Sequence, residues 1–292
     1  FSWLLARHFG GQFLLRIEDT DTARTVPGAV EAIIEGFAWL GMPVDEGPHV
    51  GGLYGPYYQT QRKDLYRAYA ERLIEGGHAY RCFCTRERLQ EMREEQRRRA
   101  APPRYDRHCR MLSAEEVRAR LSAGEPHVVR LAVPLEGRTV VSDALRDAIV
   151  FEHANLDDAV LLKSDGLPTY HLAATVDDHL MRISHVVRAE EWISSAPLHV
   201  LIYHAFEWEA PTFVHVPDVL GKDGKGKLSK RYGAVPMLEY RDLGYLPEAV
   251  VNYMALLGWS PETSADVLSL PQLIEAFSLD RVGASSARYD EE

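Results

Sequence analysis

Alternation between helical and strand-like segments is the feature that most restricts the fold of this chain. Residues 1–9 are predicted to form a helix that ends at Gly10, and the apolar run at residues 13–17 has the length of a buried strand. Pro27 begins a second segment, in which apolar residues recur at helical spacing up to residue 40. Such alternation is typical of α/β proteins, in which helices cover a mostly parallel sheet. We therefore predict an α/β fold for residues 1–80.

The alternation is interrupted between residues 81 and 178. This stretch combines an arginine-rich helical segment, a capping box at residues 113–116 and short β-like runs, with Asp165 and Gly166 at a predicted hairpin turn. A strand-like run and a helix return after residue 179, and the chain becomes helical from Met237 onward. Four regions are predicted: the first part of an α/β domain (1–80), a mixed α+β insertion (81–178), the second part of the α/β domain (179–236) and a helical region (237–292).

Composition excludes several classes of protein. With 292 residues, 46% hydrophobic and 26% charged, the chain is an ordinary globular sequence with room for about two domains. No apolar run approaches the ~18 residues of a membrane span, so we expect no membrane partner. The net charge of -10 argues against a histone-like binder of nucleic acid, although it says nothing of local patches. Three cysteines without a signal peptide predict a cytoplasmic protein.

The lysines are concentrated in one glycine-rich loop. The chain has six lysines, and four of them fall within nine residues: Lys222, Lys225, Lys227 and Lys230. A flexible loop with clustered ammonium groups suits a polyphosphate, because charge that develops on a leaving pyrophosphate needs mobile cations. The alternative is a solvated basic loop without a ligand.

Four strings in the sequence point to a family. The run Lys227, Leu228, Ser229, Lys230 and Arg231 resembles the lysine-serine-lysine loop of class I aminoacyl-tRNA synthetases. Residues 16–21 (RIEDTD), 162–171 (LKSDGLPTYH) and 187–192 (VRAEEW) resemble the strings that mark glutamyl-tRNA synthetases within that class, and all four occur in the family's order. The resemblance covers essentially the whole chain. It implies a Rossmann-like class I catalytic domain, split by an insertion that binds the tRNA acceptor stem and followed by the start of a helical stem-contact domain.

The resemblance also implies a reaction and its substrates. Glutamate is joined to AMP from Mg²⁺-bound ATP and is then transferred to tRNA(Glu), so the expected partners are L-glutamate, ATP with Mg²⁺, and tRNA(Glu). We expect a monomer. The alternatives are the short paralogue that glutamylates queuosine in tRNA(Asp), and an inactive module that binds RNA or ATP.

Site residues follow from the resemblance position by position. Glutamate is assigned Glu18, Tyr170 and Arg188; ATP is assigned Glu191, Leu220 through its backbone, Ser229 and Lys230; Lys227 and Lys230 are the expected catalytic residues; Asp19 and Asp21 are weaker candidates. The chemistry agrees, because an ammonium group needs a carboxylate, a γ-carboxylate suits a guanidinium, and Glu18 and Arg188 both follow strand-like runs. The residues alone leave open an acid that balances Arg16, a surface arginine and a tyrosine of the core.

One further string matches the class at the wrong place. Residues 49–52 (HVGG) spell the early His-x-Gly-Gly element that packs on ATP phosphates, but they follow the RIEDTD string and the second helix. We predict a surface loop there. We expect the true element upstream of Phe1 and an anticodon-binding domain beyond Glu292, which makes the chain a fragment whose own activity is open.

Three cysteines form a second constellation. Cys82 and Cys84 are closely spaced, and Cys109 follows, a pattern that suits tetrahedral zinc with one more ligand. Bacterial family members with zinc carry a histidine at the position of Met111, which cannot bind the metal, so Tyr105 or His108 would have to replace it. Zn²⁺ and three reduced thiols remain equal alternatives.

Arginines are concentrated in the first part of the insertion. Between Arg86 and Arg110 there are nine arginines and five acids, a local charge of +4. A solvated helix face with pairs four residues apart explains most segments of this kind. In this family the insertion holds the acceptor stem, so some of these arginines are candidates for contact with RNA phosphates.

Overall fold

The computed structural model describes residues 1–21, 26–224, 226–228, 236–262 and 264–290. These residues form ten α-helices: α1 (Ser2–His8), α2 (Ala29–Trp39), α3 (Lys63–Glu75), α4 (Arg86–Arg98), α5 (Ala114–Ser122), α6 (Tyr170–Leu180), α7 (Ala196–Ala205), α8 (Met237–Asp242), α9 (Pro247–Leu256) and α10 (Leu270–Ala276). They also form seven strands: β1 (Ala79–Cys82), β2 (Val128–Leu131), β3 (Arg138–Val141), β4 (Ile149–Glu152), β5 (Val160–Leu162), β6 (His185–Ala189) and β7 (Thr212–Val216). None of these helices has the length and apolar character needed to cross a membrane.

The α/β part begins as predicted. Helix α1 stops at Gly10, whose φ of +64° is a conformation that glycine adopts without strain. The predicted strand at residues 13–17 is only partly regular, because it makes isolated parallel bridges from Leu14 to Glu46 and from Ile17 to Tyr58. Strands β6 and β7 form a parallel pair in which Arg188 lies opposite His215.

The insertion contains two antiparallel sheets. Strands β1, β2 and β5 form the first, and β3 and β4 form a hairpin. Gly166, at φ +78°, lies in the turn that follows β5, as predicted. Strand β1 begins at Ala79 and α6 ends at Leu180, so both predicted boundaries of the insertion, 80/81 and 178/179, fall inside regular elements.

Two apolar cores hold the chain together. The first joins α3, the β1–β2–β5 sheet, α6 and α7, and its fully buried members include Tyr66, Leu131, Leu161, Leu172 and Ile202. The second packs α1 against α9 and α10 and includes Trp3, Val251, Trp259, Leu273 and Phe277. The insertion and the α/β part therefore share one core, and the helical region covers the first helix.

A buried carboxylate joins three segments of the α/β part. The side chain of Asp177 is fully buried on α6 and accepts hydrogen bonds from Arg62 Nε at 2.8 Å, Gln59 Nε2 at 3.1 Å and Tyr66 Oη at 2.7 Å. Arg16 Nε lies 3.7 Å from the same carboxylate, and Arg16 Nη1 donates to Asp178 at 2.8 Å. The free-energy cost of removing the Asp177 carboxylate from water is thus offset by its ion pairs and by hydrogen bonds to both of its oxygens.

The buried network generates a prediction for stability. Replacing Asp177→Asn keeps the shape but leaves the Arg62 guanidinium without a countercharge, at a side-chain exposure of 5%. We expect the free energy of unfolding, measured with urea, to fall by about 3–5 kcal/mol. Asp64→Asn is the matched control, because Asp64 pairs with Arg67 at 96% exposure and its loss should change little. Equal effects of the two variants would contradict this view of the network.

Candidate active site

A cleft of about 650 Å³ lies between residues 11–16 and residues 183–188, at the carboxyl end of β6. Three of the residues predicted for glutamate, Glu18, Tyr170 and Arg188, line it. The carboxyl ends of strands are where open α/β sheets bind ligands. The cleft is therefore the candidate substrate site.

Arg188 is held by contacts on several sides of its guanidinium. Its Nε donates to His215 Nε2 at 3.0 Å, and its Nη2 donates to the carbonyl of Trp192 at 3.3 Å. Its Nη1 lies 3.0 Å from Tyr170 Oη and 3.4 Å from His199 Nδ1. A guanidinium has five N–H groups, so this geometry keeps the plane fixed and leaves an Nη2 hydrogen for a ligand.

Tyr170 begins helix α6 and faces the same cleft. Its ring packs against Trp192, with 4.8 Å between the ring centroids. Burial raises the pKa of Tyr170, so the hydroxyl keeps its proton. Because its oxygen accepts from Arg188, the hydroxyl hydrogen is left to donate to a ligand carboxylate.

The imidazoles around Arg188 are neutral. Burial lowers the pKa of His199 well below its usual range and that of His171 to about 4, and the charge of Arg188 lowers both further. Burial also lowers the pKa of His215, against the opposing effect of Asp143. Neutral imidazole nitrogens accept hydrogen bonds, which is why three histidines tolerate a guanidinium beside them. The sequence analysis missed His199, His215 and Asp143, because only the tertiary structure brings them to Arg188.

Glu18 lines the same cleft as Tyr170 and Arg188. Its carboxylate is 3.2 Å from Arg16 Nη2, and the side chain is 43% exposed. Arg16 is itself held by Asp177 and Asp178, so Glu18 has a fixed cationic neighbour and remains open to a ligand. Asp19 is occupied elsewhere, because it accepts from the Thr60 amide at 2.8 Å and the Thr60 hydroxyl at 2.5 Å.

Two of the residues predicted for ATP, Glu191 and Leu220, lie next to Lys227. Its Nζ lies 2.6 Å from Glu191 Oε1 and 3.0 Å from Asp218 Oδ1. Pairing with Glu191 raises the pKa of Lys227, so the lysine carries its charge at neutral pH. The short helical turn Glu190–Ser195 places Glu191 directly after β6. Ser229, Lys230 and Arg231 lie outside the described residues.

The backbone of Leu220 is engaged by the helical region. Its amide donates to the Ala287 carbonyl at 2.8 Å, and its carbonyl accepts from the Tyr289 amide at 2.8 Å. The predicted backbone contact with adenine is therefore restricted to the second lone pair of the carbonyl, which would take the amino group of the base.

The three cysteine sulfurs lie within 4.8 Å of one another. Cys84 Sγ is 3.5 Å from Cys109 Sγ, and Tyr105 Oη is 3.3 Å from the sulfurs of both Cys82 and Cys84. The hydrogen bond from the Cys109 thiol lowers the pKa of Cys82 to about 4 and raises that of Cys109. Sulfurs on one tetrahedral zinc are about 3.8 Å apart, so three thiolates and the Tyr105 oxygen fit a zinc ion in size and chemistry. His108 and Met111 are exposed and stand outside this cluster.

Two other predictions can be compared with the structure, one for the HVGG string and one for the arginine-rich segment. The HVGG string at residues 49–52 is exposed, as predicted for a surface loop. In the arginine-rich segment, Arg107 and Arg110 pair with the buried Asp158, and Arg88 pairs with Asp106. Arg104 likewise donates to the Ala154 carbonyl, and Arg98 and Arg99 pair with Glu95 while remaining more than 70% exposed. The candidates for RNA contact are therefore the exposed arginines at positions 86, 93, 97, 98 and 99.

Comparisons with known proteins give consistent results. A family model described as tRNA synthetases class I (E and Q), catalytic domain, matches residues 1–292. The chain is 50% identical over 291 residues to a glutamate–tRNA ligase of Moorella thermoacetica, covering 99% of this chain and 59% of that protein. It is 51% identical over 292 residues to a glutamate–tRNA ligase of Dehalococcoides mccartyi, covering 100% of this chain and 59% of that protein.

A solved structure has the same architecture. The glutamate-tRNA synthetase of Elizabethkingia anophelis superposes with a TM-score of 0.93 at 41% identity, over 99% of this chain and 63% of that one. The chain thus spans about three fifths of the length of the proteins it matches.

The neutral histidines generate a prediction for the pH dependence of stability. His171 has a pKa of about 4 in the folded chain and an ordinary value of 6.5 when unfolded. Between these pH values the unfolded state therefore binds more protons than the folded state. The contribution of the neutral His171 to the stability of the fold is complete above pH 6.5 and is lost as the pH falls towards 4. We expect the free energy of unfolding to fall on acidification in this window, by about 1.4 kcal/mol per pH unit from His171 at most.

Urea titrations at several pH values check the expectation. His171→Gln should flatten the slope between pH 6.5 and 4, and His49→Gln, in the exposed loop, is the control that should leave it unchanged. A slope that His171→Gln does not alter would contradict the assignment of a neutral imidazole.

Proposed function

The chain belongs to the family of class I tRNA synthetases for glutamate and glutamine, and on this premise we propose that it is the catalytic part of a glutamate–tRNA ligase. Family and fold class agree with the prediction from the four strings and are confirmed. The chain spans about 59% of the length of its curated relatives, so the complete activity of those proteins is part of the proposal.

The proposed reaction has two steps. The α-carboxylate of glutamate attacks the α-phosphorus of ATP, forming an acyl-phosphate bond and releasing pyrophosphate with its Mg²⁺. A terminal ribose hydroxyl of tRNA(Glu) then attacks the acyl carbon, and AMP leaves. The protein has no bond to form in either step, so it acts by positioning and by stabilising charge.

One observation carries the choice of glutamate: Arg188 and Tyr170 share a hydrogen bond of 3.0 Å in the cleft that Glu18 also lines. The Arg188 Nη2 hydrogen and the Tyr170 hydroxyl are two donors for a γ-carboxylate, and Glu18 offers a carboxylate for the ammonium group. A side-chain amide would present an N–H where both protein groups donate, so glutamine is disfavoured.

ATP is assigned to the neighbouring end of the sheet. Glu191, Leu220 and Lys227 lie together there, and Ser229 and Lys230 follow Lys227 in the sequence. Lys227 and Lys230 are proposed to stabilise the charge that develops on the pyrophosphate, with Mg²⁺ bound to the phosphates of the substrate. The Lys227–Glu191 ion pair supports this assignment, because it holds the lysine beside the carboxylate that is proposed to contact the nucleotide.

The insertion is proposed to hold the acceptor stem of tRNA(Glu). The enzyme is proposed to be cytoplasmic and monomeric. The relatives described above bear the name of the ligase, which disfavours the queuosine paralogue.

Pyrophosphate exchange tests the function. In the protein made from the complete gene, we expect exchange of label between pyrophosphate and ATP that depends on glutamate and tRNA(Glu). Lys230→Ala should lower the exchange rate at least about 100-fold, the loss seen when one group stabilising a transition-state charge is removed, with a much smaller change in KM for glutamate. Lys63→Ala is the control, because Lys63 is outside the lysine loop in the sequence and its ammonium donates to the Asp165 carbonyl. An unchanged rate in Lys230→Ala would reject the catalytic role, and no glutamate-dependent exchange in the wild type would reject the function.

We further propose that Cys82, Cys84, Cys109 and Tyr105 bind one zinc ion. The support is the fit of the three sulfurs and the Tyr105 oxygen to a tetrahedral site. Bound zinc would supply folding free energy to the start of the insertion, where β1 and α4 meet the residues before α5.

Metal analysis of the purified protein tests this site. We expect about one zinc per chain, strong loss of zinc in Cys84→Ser and weaker binding in Tyr105→Phe. His108→Ala is the matched control for the alternative fourth ligand, and it should keep the metal. A protein that is folded and free of zinc after expression in zinc-supplemented medium would favour three reduced thiols.

A further inference from the structure

We propose that Asp143 and His215 form a buried relay that sets the orientation of Arg188, so that a residue of the insertion positions the group that reads the substrate side chain. The proposal rests on the proposed function, because it takes Arg188 as the ligand of the γ-carboxylate. Asp143 and His215 are positioning residues and do not line the cleft.

Hydrogen bonds fix the proton on His215 from both sides. Asp143 Oδ2 lies 2.6 Å from His215 Nδ1, and a carboxylate only accepts, so Nδ1 carries the hydrogen. Arg188 Nε lies 3.0 Å from His215 Nε2, and a guanidinium only donates, so Nε2 presents its lone pair. A single neutral tautomer satisfies both contacts, and either other protonation state would place two hydrogens against each other.

The relay is buried and surrounded on every side. The side chains of His215 and Asp143 have no exposed surface. The charged and titratable groups that face His215 are Asp143 and Arg146 of the insertion, Arg188 of β6 and His199 of α7. Arg146 donates to the His215 carbonyl and pairs with Glu190 at 2.8 Å, which ties the same loop to the turn after β6.

The insertion is anchored to β7 at this point by its backbone. Asp143 forms a parallel bridge with Phe213, and the Ala144 amide donates to the Phe213 carbonyl at 2.8 Å. Asp143 Oδ2 also accepts from the His215 amide at 3.0 Å, and its Oδ1 accepts from the Leu145 amide at 3.0 Å. The carboxylate is therefore fixed, and a shift of residues 143–145 would withdraw it from His215.

Orientation of Arg188 matters because a planar guanidinium recognises a carboxylate only along its own plane. His215 holds Nε, the nitrogen that joins the planar group to the rest of the side chain. With Nε fixed, Nη1 and Nη2 face Tyr170 and the carbonyl of Trp192 at the cleft. Without that acceptor, rotation about the end of the side chain would turn these nitrogens out of register with the ligand.

A matched pair of variants tests the relay in the protein made from the complete gene. The amide of glutamine reaches the position of His Nε2 and offers Arg188 an oxygen, whereas the amide of asparagine reaches only the position of His Nδ1. We expect His215→Asn to raise KM for glutamate about tenfold, the cost of one charge-assisted hydrogen bond, with KM for ATP unchanged. His215→Gln should restore much of the loss.

The outcomes distinguish a failure of the relay from a failure of the proposed function on which it rests. Arg188→Ala must raise KM for glutamate steeply if the proposed function holds, and an unchanged KM in that variant rejects the function itself. If Arg188→Ala has its effect and His215→Asn does not, or if His215→Gln and His215→Asn are equally impaired, the relay is wrong. Equal impairment with a matching loss of thermal stability would assign His215 to β7 packing alone.

A measurement on the wild-type protein tests the relay even if the variants do not fold. Nitrogen-15 shifts of the histidine rings distinguish the two neutral tautomers, and sequential resonance assignment of the wild-type protein identifies the His215 signals. We expect a protonated Nδ1 and an unprotonated Nε2 at pH 7, with an Nε2 shift that moves when glutamate binds. A protonated Nε2 would overturn the proposal.

Discussion

The fully buried carboxylate of Asp177 is the contact on which the α/β part of the chain depends. It brings Arg62 and Tyr66 from around α3, and Arg16 from the extended segment, to one helix. Each of these groups is costly to bury alone, and together they leave few donors or charges unmatched. Because Arg16 also contacts Glu18, the same network ends at the cleft. The stability of the fold and the placement of Glu18, the carboxylate proposed to bind the substrate, therefore rest on one set of contacts.

Helix α6 carries the two acids of this network and also Tyr170, which lies at the cleft. Tyr170 lies at its first residue, and Asp177 and Asp178 come seven and eight residues later, which is two helical turns and the same face. The tyrosine hydroxyl meets Arg188 on β6, while the two acids hold Arg16 beside Glu18. A rigid helix thus sets the separation between Arg188 and Glu18, the groups proposed to bind the γ-carboxylate and the ammonium. The insertion ends in this helix, and its sheet shares the helix's core, so the insertion is part of the site's framework.

The sequence predicted the parts of this picture that local rules determine. Helices that end at glycine, such as α1 and α2, were found, and the strings that resemble the family indicated Glu18, Tyr170 and Arg188 in one cleft. Strands β1, β3 and β7 were missed because each is defined by its pairing, with β2, β4 and β6, and not by a strong local pattern. Asp143 and His215 are 72 residues apart, and no spacing rule pairs them. The contact of Leu220 with Ala287 and Tyr289 is likewise a product of tertiary packing.

The histidines around Arg188 explain how an oriented guanidinium stays available to an anion. Among the residues that the structure describes, no carboxylate forms an ion pair with Arg188; its partners are His215, His199, the Tyr170 hydroxyl and the Trp192 carbonyl. A direct Arg–Asp pair would hold the side chain equally well, but it would neutralise the charge that the substrate needs. The neutral ring of His215 lies between Asp143 and Arg188. The fixed carboxylate of Asp143 therefore orients the guanidinium through the ring, while its negative charge stays farther from the guanidinium than in a direct pair. In the proposed complex the γ-carboxylate is the first anion to contact the guanidinium directly, so orientation and affinity do not compete.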